Sequence, residues 1–102
     1  MGARIKRRLP PIHPGEVLQD ILNEAGLTVN ALALALRVPA NRIGAIVKGQ
    51  RGITADTALR LGRYFGTSAQ MWMNLQAKYE LAVAEDSLRS RIEREVLRRA
   101  AA

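Results

Sequence analysis

The side chains best suited to chemistry in this chain lie close together: Asn41, Arg42, Lys48, Gln50 and Arg51. An asparagine amide pairs bidentately with adenine, and a guanidinium with guanine. Lysine, glutamine and arginine just beyond them suit phosphate oxygens. Ala40 and Ala45, interleaved with the polar residues, offer only apolar contact of the kind a thymine methyl accepts. The set is one for reading double-stranded DNA, with Ala40, Asn41, Arg42 and Ala45 as base-contact candidates. Thr28 and Asn30 lie a short way upstream, where a hydroxyl or amide could bond a phosphate, although for Thr28 a helix cap is the simpler role. Asn41 and Arg42 could equally be ordinary solvated residues; only the element that carries them decides between the two readings.

That element must present one face to a groove and bury the other. Residues 39–48 fit: Ile43, Ile46 and Val47 form an inner stripe at helical spacing, and Asn41, Arg42, Ala45 and Lys48 point elsewhere. Pro39 suits the first helical position, where its missing N–H is harmless. Gly49 ends the segment. A shorter helix precedes it, capped by Thr28, with Leu32 and Leu36 inward and Ala33 small enough for close crossing. Two short helices joined by a tight turn at Arg37 and Val38 have the length pattern of a helix-turn-helix, in which the second helix enters the major groove.

The remaining elements are helical too. Pro14 or Gly15 opens a first helix, with Val17, Leu18, Ile21, Leu22 and Ala25 on one face and Gly26 as a left-handed cap. Thr54 caps a fourth helix that buries Ala58, Leu61 and Phe65 and stops at Gly66, with Asp56 well placed near its start. Ser68 starts a fifth, along which Trp72, Leu75, Tyr79 and Val83 recur. Beyond Glu85 the pattern weakens. Leu88, Ile92 and Val96 still recur every fourth residue, which fits a continuing helix, a separate short one or a frayed end.

The fold class expected is all-α: a five-helix, lambda-repressor-like (Cro/C1-type) helix-turn-helix domain with a C-terminal helical extension. Its parts are a basic arm at 1–13, the domain at 14–84 and an extension or tail at 85–102. Met71, Trp72, Met73 and Leu75 carry more apolar surface than one inward stripe uses, so they are candidates for a homodimer interface. The alternative is that Trp72 and Leu75 simply pack inward.

Composition agrees. The chain has 102 residues, enough for one domain, and a net charge of +7, which calls for an anionic partner. Nucleic acid comes first; a membrane surface or an acidic protein comes second. There is no cysteine, so disulfides and thiolate metal sites are excluded. No apolar run approaches a membrane span. Arg4, Lys6, Arg7 and Arg8 are followed by Pro10 and Pro11, not by the apolar core of a signal peptide, so a cytoplasmic protein is expected. His13 is the only histidine, and zinc needs about three or four ligands; a turn residue is the better reading. Glu16, Asp20 and Glu24 have no nucleophile or base beside them and read as a solvated helix face. With no phosphate loop, metal signature or nucleophile elbow, no enzyme, metal or cofactor is expected.

Four stretches carry a resemblance: IHPGEVLQ at 12–19, NALALALRVPANRI at 30–43, GQRGITADTALRLGRYFGTS at 49–68 and MWMNLQAKYEL at 71–81. The chain resembles the HigA-type, or VapI-like, antitoxins of the XRE (Cro/C1-type) helix-turn-helix group. Within them it is most similar to the GraA-like branch, whose ending IEREV at 92–96 also resembles. The likeness covers about two-thirds of the chain, and its last two long pieces are the specific ones. The resemblance implies a homodimer formed chiefly by the region after the fourth helix. It implies binding to a palindromic operator in the protein's own promoter. It also implies neutralisation of a small basic RelE/HigB-like toxin that cuts messenger RNA; a stand-alone phage-type repressor is the alternative. By position it places recognition at Ala40, Asn41, Arg42 and Ala45, and phosphate contacts near Thr28, Lys48 and Arg51. Val29 departs from the group's common glutamine, and Arg37 from its common glycine. A positive φ at Arg37 would cost roughly 1 kcal/mol, offset if the charge faces phosphates.

Overall fold

The computed structural model describes residues 10–100, which form five helices and no strand. They are α1 (Pro14–Ala25), α2 (Val29–Leu36), α3 (Ala40–Val47), α4 (Ala55–Phe65) and α5 (Ala69–Glu95). Arg4, Lys6, Arg7 and Arg8 of the expected basic arm lie outside the described residues.

Four of the five helices start where the sequence supplies a side-chain acceptor; α3, which follows Pro39, has none. Thr28, Thr54 and Ser68 cap α2, α4 and α5, accepting from Ala31, Thr57 and Met71 respectively. The cap of α1 is His13, whose Nδ1 accepts from Gly15 N at 2.8 Å, while Glu16 accepts from the His13 N–H at 3.1 Å. Sequence reasoning treated His13 as a turn residue and Glu16 as a solvated acid. Here they form a reciprocal capping pair, and His13 also packs edge-on against Tyr79 with centroids 4.7 Å apart. Pro39 differs slightly from expectation: at ψ 144 it is the extended residue before α3, so the helix begins at Ala40.

The core lies where the apolar stripes converge. Leu18 and Leu22 from α1, Leu32 from α2, Ile43 and Ile46 from α3, Ala58 and Leu61 from α4 and Trp72 from α5 are all wholly buried. Each large side chain among them contributes about 1.5–3 kcal/mol by leaving water. Ala25, expected on the inner face of α1, is exposed, because the helix is already turning into its Gly26 cap. Helices α1 and α3 cross closely at Gly15, where any Cβ would overlap the carbonyl oxygen of Ile46.

Helix α5 has 27 residues, about 40 Å at the usual rise. Only its first part packs: Trp72 and Gln76 are its buried residues, and every described residue from Glu85 onward is exposed. The helix nevertheless continues unbroken past Glu85, with pairs Glu85–Arg89 and Arg91–Glu95 along it. The chain therefore extends 53 Å along its longest axis. The weak periodicity there reflects a helix that has left its own core. No helix among the described residues is long and apolar enough to cross a membrane.

Candidate nucleic-acid interface

The turn between α2 and α3 decides what α3 can do. Arg37 adopts φ 61, ψ 44, the one non-glycine residue at positive φ among those described. Its N–H bonds Leu34 O at 3.2 Å, and the next N–H, of Val38, bonds Ala33 O at 3.0 Å. This is a Schellman closure built without glycine. It reverses the chain in the space of three residues and sets α3 across α2. Ala33 is buried at the crossing, Ile43 fills it, and Val38 packs partly against it. Gly49, at φ 75, closes the far end of α3 the same way, with Gln50 N on Ala45 O at 2.9 Å.

With Ile43 and Ile46 inward, residues 41, 44, 45 and 48 share the opposite side of α3, and Ala40 stands at the rim where the helix begins. Ala40, Asn41 and Lys48 are exposed there and Ala45 is half-buried. Gly44 lies between Asn41 and Lys48, and a Cβ on it would meet nothing. Sequence reasoning passed over Gly44, although its spacing from Asn41 and Lys48 marks it. It leaves bare backbone in the middle of the face, where a groove edge can come close. Gln50 and Arg51 follow in the exposed loop after α3. Thr28 and Asn30 are exposed at the start of α2. The Thr28 oxygen caps its helix at 3.0 Å, and its O–H can still donate to a phosphate.

The family follows from this architecture and from sequence together: residues 18–72 match the helix-turn-helix family HTH_3. The chain belongs to the XRE-type helix-turn-helix family, among its HigA/VapI-like antitoxins. Virulence-associated protein I of Dichelobacter nodosus is 55% identical over 86 residues, spanning 83% of this chain and 80% of that protein. Among solved structures, the Pseudomonas aeruginosa antitoxin HigA with the higBA promoter is 55% identical, with TM-score 0.83 over 85% of this chain and 96% of that one. Antitoxin GraA in complex with its operator is 36% identical, with TM-score 0.86 over 96% of this chain and all of that one.

Within this HigA-like chain, Arg42 stands apart from the rest of the α3 face. Its Nη1 donates to Asp56 Oδ2 at 2.7 Å, and its side chain is 24% exposed. Arg60, one turn along α4, donates to the same oxygen at 3.0 Å through Nε and to Leu36 O at 2.9 Å through Nη1. The Asp56 carboxyl is held below the ordinary carboxylate range, first by the hydrogen bond from Arg42 and next by that from Arg60. This cluster ties the end of α2, the start of α3 and the start of α4 into one unit. Sequence reasoning saw in Asp56 only a helix-dipole partner and assigned Arg60 nothing. The pairing spans 14 residues, and no local spacing rule reaches that far.

A further link, this one buried, was also missed. Gln76 Oε1 accepts from Ile53 N at 2.7 Å, and its Nε2 donates to Glu80 at 2.8 Å. It anchors the loop after α3 to α5.

One dimer candidate is corrected. Trp72 is wholly buried in the chain's own core, and its indole donates to Thr67 Oγ1 at 3.2 Å. It is therefore not available to a second copy, as the inward-packing alternative had it. Met71, Met73 and Leu75 are half-buried against the same core and keep an outer edge.

Proposed function

We propose that the chain is a cytoplasmic antitoxin that represses its own operon as a dimer. It would bind a palindromic operator and neutralise a small basic RelE/HigB-like toxin that cleaves messenger RNA. The observation that carries the DNA half is the outer face of α3: Ala40, Asn41 and Lys48 stand exposed on a short helix held rigidly by the Arg37 turn. Operator-bound HigA and GraA are relatives that support it. In this reading Asn41 and Arg42 contact bases, with Ala40 and Ala45 in apolar contact. Thr28, Asn30, Arg37, Lys48, Gln50 and Arg51 hold phosphates. The dimer forms through α5, using the outer edges of Met71, Met73 and Leu75 and the exposed stripe beyond them. It sets two copies of α3 about 34 Å apart, in successive major grooves.

The toxin half rests on the HigA-like relatives and is tested separately. A tagged pull-down from the native host, with nuclease treatment and mass spectrometry, is expected to recover a stoichiometric small basic protein. Recovery of the chain alone, together with specific operator binding, would make it a stand-alone repressor instead.

A further inference from the structure

We propose that Asp56 is a positioning residue for base reading: it holds the Arg42 guanidinium in the orientation that a guanine edge requires. The proposal rests on the reading of α3 as the recognition helix and adds to it a residue from outside that helix.

The geometry supplies the reason. Arg42 engages Asp56 through Nη1 alone. A guanidinium is a planar fork, so a bond at Nη1 restrains the tip of the side chain and leaves the Nε–Nη2 edge for a second acceptor. Guanine O6 and N7 are such an acceptor pair in the major groove. Asp56 is itself fixed, because its Oδ2 also accepts from Arg60, which is anchored on Leu36 O. The chain of bonds runs from backbone, through Arg60 and Asp56, to the tip of Arg42.

Stability does not account for the cluster, since pairs this exposed contribute little to it. Pre-orientation does: a long side chain ordered before binding does not have to be ordered during it. Electrostatics allow the same conclusion. A lone carboxylate near phosphates would repel DNA, whereas Asp56 sits between two arginines and the cluster is net positive.

The test selects binding sites from a randomised duplex library, using the full chain and its Arg42→Ala, Asp56→Ala and Asp56→Glu variants and the Arg42→Ala/Asp56→Ala double variant. The parent is expected to enrich a motif, and Arg42→Ala to lose preference at one base pair of each half-site. Asp56→Ala should lose about fivefold of the preference at that same base pair while others hold within about twofold. The double variant should match Arg42→Ala, and Asp56→Glu, which keeps a carboxylate, should retain most of the preference. Asp56→Asn provides the same comparison with the side-chain shape kept, should Asp56→Ala unfold.

Unchanged preference at that base pair in Asp56→Ala, or an even weakening at every position, would overturn the proposal. So would a parent motif that Arg42→Ala leaves intact, although α3 would then still be the reader. A parent that enriches no motif would overturn the recognition-helix reading and the proposal with it.

Discussion

The side-chain amide of Gln76, on α5, accepts a hydrogen bond at 2.7 Å from the backbone N–H of Ile53, in the loop that follows α3. Both residues are buried. The bond secures the loop carrying Gln50 and Arg51 to the long helix, and Gly52 lets it form, since a Cβ there would press on the Gln76 amide. Gln76→Leu fills the same space and removes the acceptor. It should cost about 1–3 kcal/mol, the penalty of a buried N–H left without a partner. Thermal unfolding should fall by about 4–8 °C per kcal/mol for a domain of this size. An unchanged melting temperature would mean that the loop does not depend on α5.

Arg37 gives a prediction in which stability and binding move in opposite directions. Its left-handed backbone is strained for any residue with a Cβ. Arg37→Gly should therefore stabilise the free protein by about 1 kcal/mol. If the guanidinium also contacts a phosphate, the same change weakens duplex binding and flattens its salt dependence by about one unit of slope. Calorimetry and binding titrations over a range of salt check the two parts separately. A stability gain without a binding loss would leave Arg37 a turn residue only.

Asn41 and Lys48 lie on one face of α3 but should behave differently. Asn41→Ala should reduce discrimination between operator and scrambled duplex by roughly 1–3 kcal/mol, the worth of a bidentate base contact. Lys48→Ala should weaken both duplexes alike and lower the salt slope by about one unit. Competition binding at two salt concentrations separates the outcomes. If Asn41→Ala discriminates as the parent does, the base-reading role assigned to it is wrong.

How much of this was legible in the sequence depends on the range of the interaction involved. Caps and turns were readable because Thr28, Thr54, Ser68, Gly26 and Gly66 act on their immediate neighbours. The left-handed turn at Arg37 was readable as a departure from a family glycine. The buried stripe of α3 followed from periodicity. Links between distant segments were not readable. Arg42 with Asp56, Arg60 with Leu36 and Gln76 with Ile53 are 14, 24 and 23 residues apart. Each joins a polar side chain to a partner supplied only by packing. His13 was missed because histidine is an uncommon cap. Trp72 was misplaced because a large apolar residue has the same sequence appearance in a core as at an interface.

The pH response of the Arg42–Asp56 pair has a definite sign. Asp56 titrates below its ordinary value of 3.8 because both guanidinium hydrogen bonds favour its charged form. A carboxyl whose folded value is depressed contributes stability that is present above the unfolded value and is lost as pH falls through the folded one. The pair should thus be intact, and its contribution constant, at any pH above about 5. Parent and Asp56→Asn should differ by a small, constant amount in unfolding experiments there, since the pair is exposed, and converge only in more acid solution. A difference that changes between about pH 6 and pH 8 would point to another titrating group.

The far part of α5 carries a prediction about the proposed dimer. Leu81, Leu88 and Ile92 are 67%, 38% and 48% exposed, and at 100° per residue they fall within roughly 40° of one another around the helix. An apolar strip on a helix with no core beneath it is costly in water and is relieved by pairing with another strip. The double variant Leu81→Lys/Leu88→Lys should therefore raise the dimer dissociation constant by at least tenfold, roughly 1.4 kcal/mol. It should leave the monomer's melting behaviour nearly unchanged at concentrations where the parent too is monomeric, because neither side chain supports the core. Trp72→Ala should do the reverse, unfolding the chain at a cost of about 3–5 kcal/mol before any question of pairing arises. Sedimentation equilibrium and calorimetry across a concentration series distinguish the two. A double variant that stays dimeric would move the interface to the Met71–Met73–Leu75 edge, where Met73→Lys is the next substitution to weigh.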